Sequence, residues 1–500
     1  MREQWTSKLG FLMAAIGSAV GLGNLWRFPY VAASNGGGAF LLPYFFAIIT
    51  AGIPILIMEY TIGKTYRGGA PVSLARINSK FEWLGWAQVM VAFLILIYYL
   101  AIVVWTLSYV GFSFTQAWGS DPTNFFLKYL GVTENAHTLG GIRTNLLIPF
   151  LIVWGLAALI MYKGISKGVE VACRLCLPIL MVLTCVLVIR GVTLPGASAG
   201  LEYMFKPDWS SLAKPSVWVA AYGQIFYSLS IAFAIMISYS SYLPKKTDVV
   251  NSAFITATAN HGFELFAGIG VFSIIGYMAM QQGVEVKAVA GQGVGLAFMT
   301  FPTAISSLPA FKGLVGVCFF GALFVAGLTS LISISQAVIT GFQDKFKMPH
   351  KRAVTFVLVP AFLLSILFIT GAGMNILDIV DAFVNQVGIA FCGVLEVILI
   401  AWFFNPEKIR QLANEYSNFS VGKWWTFCLK IVTVLILGVM TVINTYKFIT
   451  EGYGSYSQMD INLFGWGAIL IIIVFAAVFT KMKGFEGYRD LDKASAKEVE

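Results

Sequence analysis

Charged residues are scarce in this chain, since Asp, Glu, Lys and Arg make up 11% of its 500 residues against about 25% in soluble proteins. Histidine is rarer still, with three residues, and no HExxH motif occurs. Too few charges remain to cover a surface in water, which excludes a soluble enzyme, a nucleic-acid-binding protein and a disordered chain. The six cysteines lie in apolar stretches, where we expect small core residues.

Long apolar runs take the place of a polar surface. Hydrophobic residues make up 58% of the chain, and the mean hydropathy is +0.80. A helix of about 20 apolar residues crosses the roughly 30 Å of hydrocarbon in a bilayer. The runs predict an all-α membrane protein with twelve transmembrane helices, numbered here as spans one to twelve: 9–31, 38–63, 86–117, 143–162, 166–190, 216–243, 251–280, 311–343, 353–371, 375–404, 424–449 and 461–481.

The positive charge follows the topology of these spans. With both termini in the cytoplasm, inside segments or their edges hold 22 of the 33 Lys and Arg residues, and outside segments hold eight. This asymmetry is the positive-inside pattern, so we expect cytoplasmic N- and C-termini. The net charge of +9 is therefore a topology signal, and the expected partners are lipids rather than nucleic acid.

Two spans contain residues that disfavour a regular helix. Span one has three glycines within seven residues, followed by Asn24, and span six has polar residues at Ser228, Ser230, Ser238 and Tyr239. These spans occupy matching places in two five-helix halves, a pattern typical of inverted-repeat transporters with a site at the membrane midplane. The spacing of Gly17 and Gly21 also suits close helix packing. However, packing needs neither the amide of Asn24 nor the guanidinium of Arg27, which favours a broken helix.

At these residues the sequence resembles the neurotransmitter:sodium symporter family. The resemblance lies in GSAVGLGNLWRFP (17–29), NGGGAF (35–40), GQIF (223–226) and AGLTS (326–330), and it runs from Trp5 through span ten. It implies the LeuT fold, a five-plus-five inverted repeat in which helices 1 and 6 are unwound, and sodium-coupled symport. The expected units are an N-terminus (1–8), two repeats (9–190 and 216–404), two further helices (424–481) and a cytoplasmic tail (482–500).

The resemblance implies two sodium ions as cofactors. A first ion would bind the Ala19 carbonyl, the side chains of Asn24, Ser228 and Asn260, and the carboxylate of the substrate. A second ion would bind the carbonyls of Gly17, Val20 and Ala326 and the hydroxyls of Thr329 and Ser330. Each hydroxyl taken alone could simply bond a carbonyl within its own helix.

The lack of an acidic residue in span one indicates that the site binds a negatively charged group of the substrate. Monoamine carriers of the family have Asp where this chain has Gly21, and no acidic residue occurs in 9–31. The N–H groups of Leu22 and Gly23 begin a half-helix, whose dipole suits a carboxylate. The resemblance makes Tyr99 a further donor to that carboxylate. A carboxylate beside sodium predicts an amino acid as substrate.

The resemblance also implies the residues around the substrate side chain: Ser18, Ala19, Ile95, Tyr227, Ser228, Ser230, Phe233, Ser330, Ser333 and Ile334. None is charged, and an ionised substrate side chain would be unpaired there at high cost. We therefore expect a neutral, hydrophobic amino acid. Aliphatic residues such as leucine come first and aromatic ones next.

Ionisable residues inside membrane spans indicate functional positions. By resemblance, Arg27 and Asp381 form an outer gate, with Asp378 as a competing partner for Arg27 and Phe233 as an aromatic lid. Arg2 and Asp344 would form an inner gate. Tyr242 and Ser241 would support it, and Trp5 would plug the cytoplasmic path. Glu59 and Glu396 are expected to satisfy backbone groups near the breaks.

Glu264 replaces a neutral serine of chloride-dependent relatives, which bind chloride beside the positions of Tyr44, Gln224 and Ser228. A fixed carboxylate would supply the same negative charge, which predicts no chloride requirement and leaves open proton export during the return step.

Alternatives remain at this point. A channel lacks a continuous polar pore, and an enzyme lacks a catalytic constellation. A non-transporting amino acid receptor or sensor would have a similar site, and so would a carrier of an aromatic amino acid. The resemblance favours the plasma (inner) membrane of a bacterium, and it leaves monomer and dimer equally open.

Overall fold

The computed structural model describes residues 3–290 and 293–490, and every long element in them is a helix. Extended pairing there is limited to one bridge between Ile142 and Thr370. Ten helices are long and apolar enough to cross a membrane: Gly37–Tyr66, Ser79–Thr115, Thr144–Tyr162, Ile165–Val192, Val249–Gln282, Lys312–Phe346, His350–Ile369, Gly373–Phe403, Lys423–Thr450 and Gln458–Lys481.

The remaining two predicted spans are broken. In span one, Lys8–Ala19 and Leu22–Ser34 meet at an angle of 53°, and together they count as an eleventh crossing. In span six, Pro215–Ser228 and Ile235–Ser240 are each too short to cross a bilayer. Helices occur at all twelve predicted positions, although only ten or eleven of them are long and apolar enough to count as crossings, and helices 1 and 6 are interrupted as expected.

Spans three and eight form the centre of the bundle. In their most apolar stretches, 94% of the residues of Ser79–Thr115 and 78% of those of Lys312–Phe346 are buried. The corresponding share is only 33% in Lys423–Thr450 and 22% in Gln458–Lys481. Spans eleven and twelve are therefore peripheral and present most of their apolar surface outward, as lipid contact requires.

The structure extends two spans beyond their predicted ends. Span three begins before residue 86 and includes Glu82, and span eight continues to Phe346 and includes Lys345. These charged residues end the apolar runs in the sequence. In the structure, however, they form an ion pair, with Nζ of Lys345 2.6 Å from Oε1 of Glu82. Pairing across the bundle lets both helices continue with buried charges.

Short helices occupy the connections, where the sequence predicts only polar segments. On the outer side these are Pro122–Leu130, Ala197–Phe205 and Gly293–Ser307. The first is capped by Asp121, whose carboxylate accepts the N–H of Asn124 at 3.0 Å. Such short helices give weak sequence periodicity, which explains why hydropathy alone does not predict them.

Candidate ion and substrate site

The break in span one is stabilised by its own polar residue. Lys8–Ala19 ends two residues before Leu22–Ser34 begins. The N–H of Gly21 donates to Oδ1 of Asn24 at 2.9 Å, so the amide satisfies the start of the second half-helix. At the break the N–H of Gly21 departs from the helical pattern and also donates to the carbonyl of Ala19, at 2.9 Å.

The break in span six has unusual backbone geometry. Between Pro215–Ser228 and Ile235–Ser240, the φ angles of Ser230, Ala232 and Ala234 are +53°, +71° and +70°. Residues with a Cβ rarely adopt this left-handed region, which costs about 1–2 kcal/mol per residue. Three such residues in one segment form a tight reversal that turns backbone groups inward.

A buried carboxylate holds this second break, as expected. Oε1 of Glu59 accepts the N–H of Ala232 at 2.6 Å. Glu396 differs from the expectation, because Oε2 accepts Nε2 of Gln88 in span three at 2.7 Å rather than a backbone group of a break. Glu396 therefore links span ten to span three.

The residues expected at the first sodium site lie together. Nδ2 of Asn24 donates to Oδ1 of Asn260 at 2.8 Å, and Nδ2 of Asn260 donates to Oγ of Ser228 at 3.1 Å. The carbonyl of Ala19 accepts the N–H of Gly21 at 2.9 Å, at the same break. Spans one, six and seven thus bring amide, hydroxyl and carbonyl oxygens together, the ligand type that hard cations prefer.

The second expected group also bridges two spans: Gly17, Val20, Ala326, Thr329 and Ser330. Oγ1 of Thr329 donates to the carbonyl of Ala326 at 3.0 Å. A Cβ on Gly17 would lie 3.6 Å from Cβ of Thr329, so span one approaches span eight closely here. Oγ of Ser330 lies 3.4 Å from the carbonyl oxygen of Ser18. The hydroxyl of Ser330 therefore faces a carbonyl beside the break, whereas the hydroxyl of Thr329 bonds carbonyls of its own helix.

A small cavity of about 60 Å³ lies between the two breaks. It is lined by every residue expected to contact the substrate except Ser228, namely Ser18, Ala19, Gly21, Leu22, Gly23, Ile95, Tyr99, Tyr227, Ser230, Phe233, Ser330, Ser333 and Ile334. Ser228 lies behind the cavity, bonded to Asn260. The lining also includes Asp381, so the expectation of an uncharged wall is wrong at this position.

One end of the cavity presents hydrogen-bond donors. The hydroxyl of Tyr99 interacts with the hydroxyl of Ser330 and with the backbone N–H of Leu22. A Cβ on Gly21 would lie 3.0 Å from Oγ of Ser330 and 3.6 Å from the Tyr99 hydroxyl. Glycine therefore keeps room for a ligand beside an N–H group at a helix N-terminus, a favourable place for an anion.

The expected outer gate is not joined. Within the described residues no ion pair connects Arg27 and Asp381; the Arg27 guanidinium lies over the Tyr227 ring, 4.4 Å from its centroid. Asp381 accepts hydrogen bonds of 2.7 Å from Tyr98 and from Asn385. A vestibule of about 560 Å³ above the cavity is bordered by Arg27, Tyr227, Asp381 and Asn385.

The structure also corrects the identity of the lid. Tyr227 borders both the cavity and the vestibule, whereas Phe233 borders only the cavity. Tyr227 lies in the last turn of the first half-helix of span six, on the side of the vestibule, while Phe233 lies within the break. Asp378, expected to compete for Arg27, instead accepts hydrogen bonds from Tyr453 and Tyr456 at 3.0 and 2.9 Å.

Trp5, the expected plug of the cytoplasmic path, is 4% exposed. Its indole N–H donates to the carbonyl of Tyr239 at 2.8 Å, and its backbone N–H donates to the carbonyl of Tyr242 at 3.3 Å. Both partners belong to the inner end of span six. The N-terminal residue expected to act as a plug therefore lies against the second half of the broken span.

Other inner-gate residues lie close by. Oδ2 of Asp344 accepts the N–H of Gly69 at 2.7 Å, and the Tyr242 hydroxyl lies 3.0 Å from Oγ1 of Thr340. The hydroxyl of Ser241 donates to the carbonyl of Ser238 at 2.5 Å. Arg2, the expected partner of Asp344, lies outside the described residues.

Glu264 lies in a buried cluster that the sequence only partly predicts. Its carboxylate accepts hydrogen bonds from Nε2 of Gln224, at 2.8 Å, and from the Tyr44 hydroxyl. Nδ1 of His261 lies 3.2 Å from Oε2 of Glu264 and 2.5 Å from the Tyr44 hydroxyl. No motif in the sequence gives His261 a role, although its i, i+3 spacing from Glu264 puts both residues on one helix face.

Comparisons with known proteins agree with this geometry. The sequence profile of the sodium:neurotransmitter symporter family matches residues 2–124 and 119–486. An uncharacterized sodium-dependent transporter of Methanocaldococcus jannaschii is 39% identical over 488 residues, which cover 97% of this chain and 99% of that protein.

Animal transporters are also similar to the chain. A sodium-dependent dopamine transporter of Caenorhabditis elegans is 32% identical over 91% of this chain and 82% of that protein. A sodium- and chloride-dependent GABA transporter of Bos taurus is 32% identical over 89% of this chain and 80% of that protein. Together with the two broken spans, these matches confirm the resemblance: the chain belongs to the sodium:neurotransmitter symporter family.

Proposed function

We propose that this protein is a secondary active transporter that couples an inward sodium gradient to the uptake of a neutral, hydrophobic amino acid by alternating access. The observation that carries the proposal is the hydrogen-bonded chain from Asn24 through Asn260 to Ser228, beside a cavity between two broken spans. In this proposal the substrate carboxylate completes the first sodium site. Each ligand then raises the affinity of the other by the same factor.

The open vestibule and the closed cytoplasmic path support uptake from outside. A vestibule of about 560 Å³ reaches Arg27 and Asp381, whereas Trp5 is buried against span six. We place the protein in a plasma membrane with both termini in the cytoplasm, where an inward sodium gradient is available. Substrate would enter above Tyr227 and leave after Trp5 moves away.

The substrate class follows from the two ends of the cavity. The donors of Leu22, Tyr99 and Ser330 suit a carboxylate, while Ile95 and Ile334 provide apolar wall. Asp381 is already bonded to two donors, so it does not demand a cationic side chain. A volume of about 60 Å³ is well below the roughly 150 Å³ cavity that holds benzene, which favours short aliphatic side chains over aromatic ones.

We further propose that transport needs no chloride. Glu264 supplies a fixed carboxylate beside Tyr44 and Gln224, close to the first sodium group. Full transport after chloride is replaced by gluconate is the expected result. Glu264→Ser should then make transport depend on chloride, because the negative charge is lost. A wild-type protein that stops without chloride would contradict this part of the proposal.

Uptake into proteoliposomes tests the main proposal. Purified protein with sodium outside and potassium inside should accumulate radiolabelled neutral amino acid above its equilibrium level. A sodium ionophore should abolish the accumulation. Binding at a fixed stoichiometry without accumulation would instead identify a receptor or sensor, and preferred uptake of phenylalanine or tyrosine would identify an aromatic amino acid carrier.

A further inference from the structure

Glu82 joins the two central spans to the chain beyond span twelve. Nζ of Lys345, at the cytoplasmic end of span eight, lies 2.6 Å from Oε1 of Glu82. The Tyr488 hydroxyl donates to Oε2 at 2.8 Å, and a guanidinium nitrogen of Arg489 lies 2.6 Å from the same oxygen. We call residues 484–490 the tail segment, and its last turn thus binds a carboxylate of span three.

The two cations of this cluster are not equivalent. The side chains of Lys345 and Glu82 are 0% and 1% exposed, whereas that of Arg489 is 46% exposed. A buried ammonium requires its counter-charge, so the pair of Lys345 and Glu82 must stay together in the folded protein. The half-exposed Arg489 can instead be hydrated, and its bond can break while Glu82 keeps Lys345 as its partner.

The tyrosine of the tail segment remains a donor. Burial and the neighbouring Glu82 carboxylate raise the pKa of Tyr488 to about 12, so its hydroxyl is protonated at physiological pH. Its hydrogen bond to Glu82 is therefore present throughout that range. Attachment of the tail segment therefore does not change with the protonation state of Tyr488 in this pH range.

Backbone contacts hold the tail segment in the same place. The N–H of Phe485 donates to the carbonyl of Lys345 at 3.0 Å, and Nε of Arg76 donates to the carbonyl of Tyr488 at 2.9 Å. Arg76 also donates to the carbonyl of Tyr66 at 2.6 Å. Arg76 thus connects the tail segment to the turn that follows span two.

That turn contacts the inner gate directly. The N–H of Gly69 donates to Oδ2 of Asp344, the residue before Lys345, at 2.7 Å. Arg67 donates to the carbonyl of Leu243 at 3.3 Å, one residue beyond the Tyr242 carbonyl that holds Trp5. A continuous set of contacts therefore runs from the tail segment to the cytoplasmic plug.

We propose that the tail segment is a clamp on the inner gate and that Glu82 is the positioning residue that fastens it. With the clamp in place, span eight and the turn after span two are held against the inner end of span six, which favours the inward-closed state. Opening toward the cytoplasm requires the Arg489 contact to loosen. The proposal rests on the transport function proposed above.

Loss of the clamp shifts the equilibrium toward inward-open protein. Only the inward-closed fraction binds ligands from outside, so the apparent dissociation constants increase as that fraction falls. A decrease of that fraction from near one to about one fifth raises them about fivefold. A change that only lowered the amount of folded protein would reduce the number of sites and leave these constants unchanged.

The test compares Arg489→Ala and Glu82→Gln with wild-type full-length protein in proteoliposomes. We expect the KM for external sodium to increase about three- to tenfold in Arg489→Ala, and hydrogen exchange to increase in residues 3–19 and 235–243. Arg489→Lys should recover most of the affinity. Lys483→Ala, an exposed cation just before the tail segment, is the matched control and should behave as wild type.

Unchanged sodium KM and unchanged exchange in Arg489→Ala would overturn the clamp, as would an equal effect in Lys483→Ala. If Glu82→Gln does not fold, the sodium KM and the hydrogen exchange of Arg489→Ala alone test the clamp. If the wild-type protein binds sodium and amino acid without transport, the proposed function fails. Hydrogen exchange and sodium affinity still test the clamp in that case.

Discussion

Asn24 uses both ends of its amide to organise the site. Its oxygen accepts the N–H of Gly21, and its nitrogen donates to Asn260. The same side chain therefore shapes the break in span one and connects it to span seven. A residue in this position affects ion binding and substrate binding together, because the two ligands are expected to share the first site.

Asn24→Ala should weaken sodium and amino acid binding in parallel, each by about tenfold or more, since a lost ligand to an ion is typically worth more than about 1.4 kcal/mol. Isothermal binding measurements with each ligand, at fixed levels of the other, give both affinities. Asn444→Ala changes an amide that lines a separate cavity beside the vestibule and should leave both affinities nearly unchanged. Loss of only one affinity would argue against a shared site.

Gly21→Asp should impair amino acid binding far more than Gly21→Ala. A Cβ at this position already lies 3.0 Å from Oγ of Ser330, so both variants crowd the donor end of the cavity. Only the aspartate adds a negative charge that repels the substrate carboxylate. Competition binding with a neutral amino acid measures both variants, and equal affinities would count against the proposed orientation of the substrate.

At the scale of elements, the break in span six contrasts with the break in span one. Span one breaks at a glycine and is capped by a side chain, whereas span six places Ser230, Ala232 and Ala234 in the left-handed region. Glu59 offsets part of this cost by accepting the N–H of Ala232. The strained segment lines the cavity, and such strain is common at functional sites.

Glycine should be tolerated better at Ala234 than at a helical alanine of the same span. Ala234→Gly and Ala221→Gly each remove one buried methyl group, but only the first relieves a positive φ. We expect Ala234→Gly to be more stable than Ala221→Gly by about 1–2 kcal/mol. Thermal unfolding in detergent provides the comparison, and the reverse order would contradict the strained geometry.

Helix ends are predicted less well than helix interiors, and two residues show why. A charge ends an apolar run when the sequence is read locally, so Glu82 and Lys345 mark the limits of spans three and eight. In the folded protein each neutralises the other at 2.6 Å, and both helices continue. Hydropathy cannot anticipate this pairing, because the partners are far apart in the chain.

For the whole molecule, the distribution of Lys and Arg predicts an orientation that labelling can test. Lys483→Cys should be protected from a membrane-impermeant thiol reagent in intact cells, and Lys128→Cys, in the helix Pro122–Leu130, should react. Both positions are exposed, and the native cysteines provide the common background. Labelling of Lys483→Cys from outside would place the tail on the opposite side and reverse the assigned orientation.

The sequence by itself determined the membrane class, the order of the spans and the two places where helices break. The length of an apolar run and its glycine content determine local structure, so both can be identified from the sequence. The family resemblance, of which the motif at 17–29 is one part, also predicted most of the cavity lining.

Only the tertiary structure decided which side chains meet across the bundle. It placed Tyr227 rather than Phe233 above the cavity, His261 beside Glu264, and Arg489 on Glu82. It also left Arg27 over an aromatic ring instead of in an ion pair with Asp381. These contacts depend on how distant helices pack and rotate against one another, and no local pattern of residues specifies that arrangement.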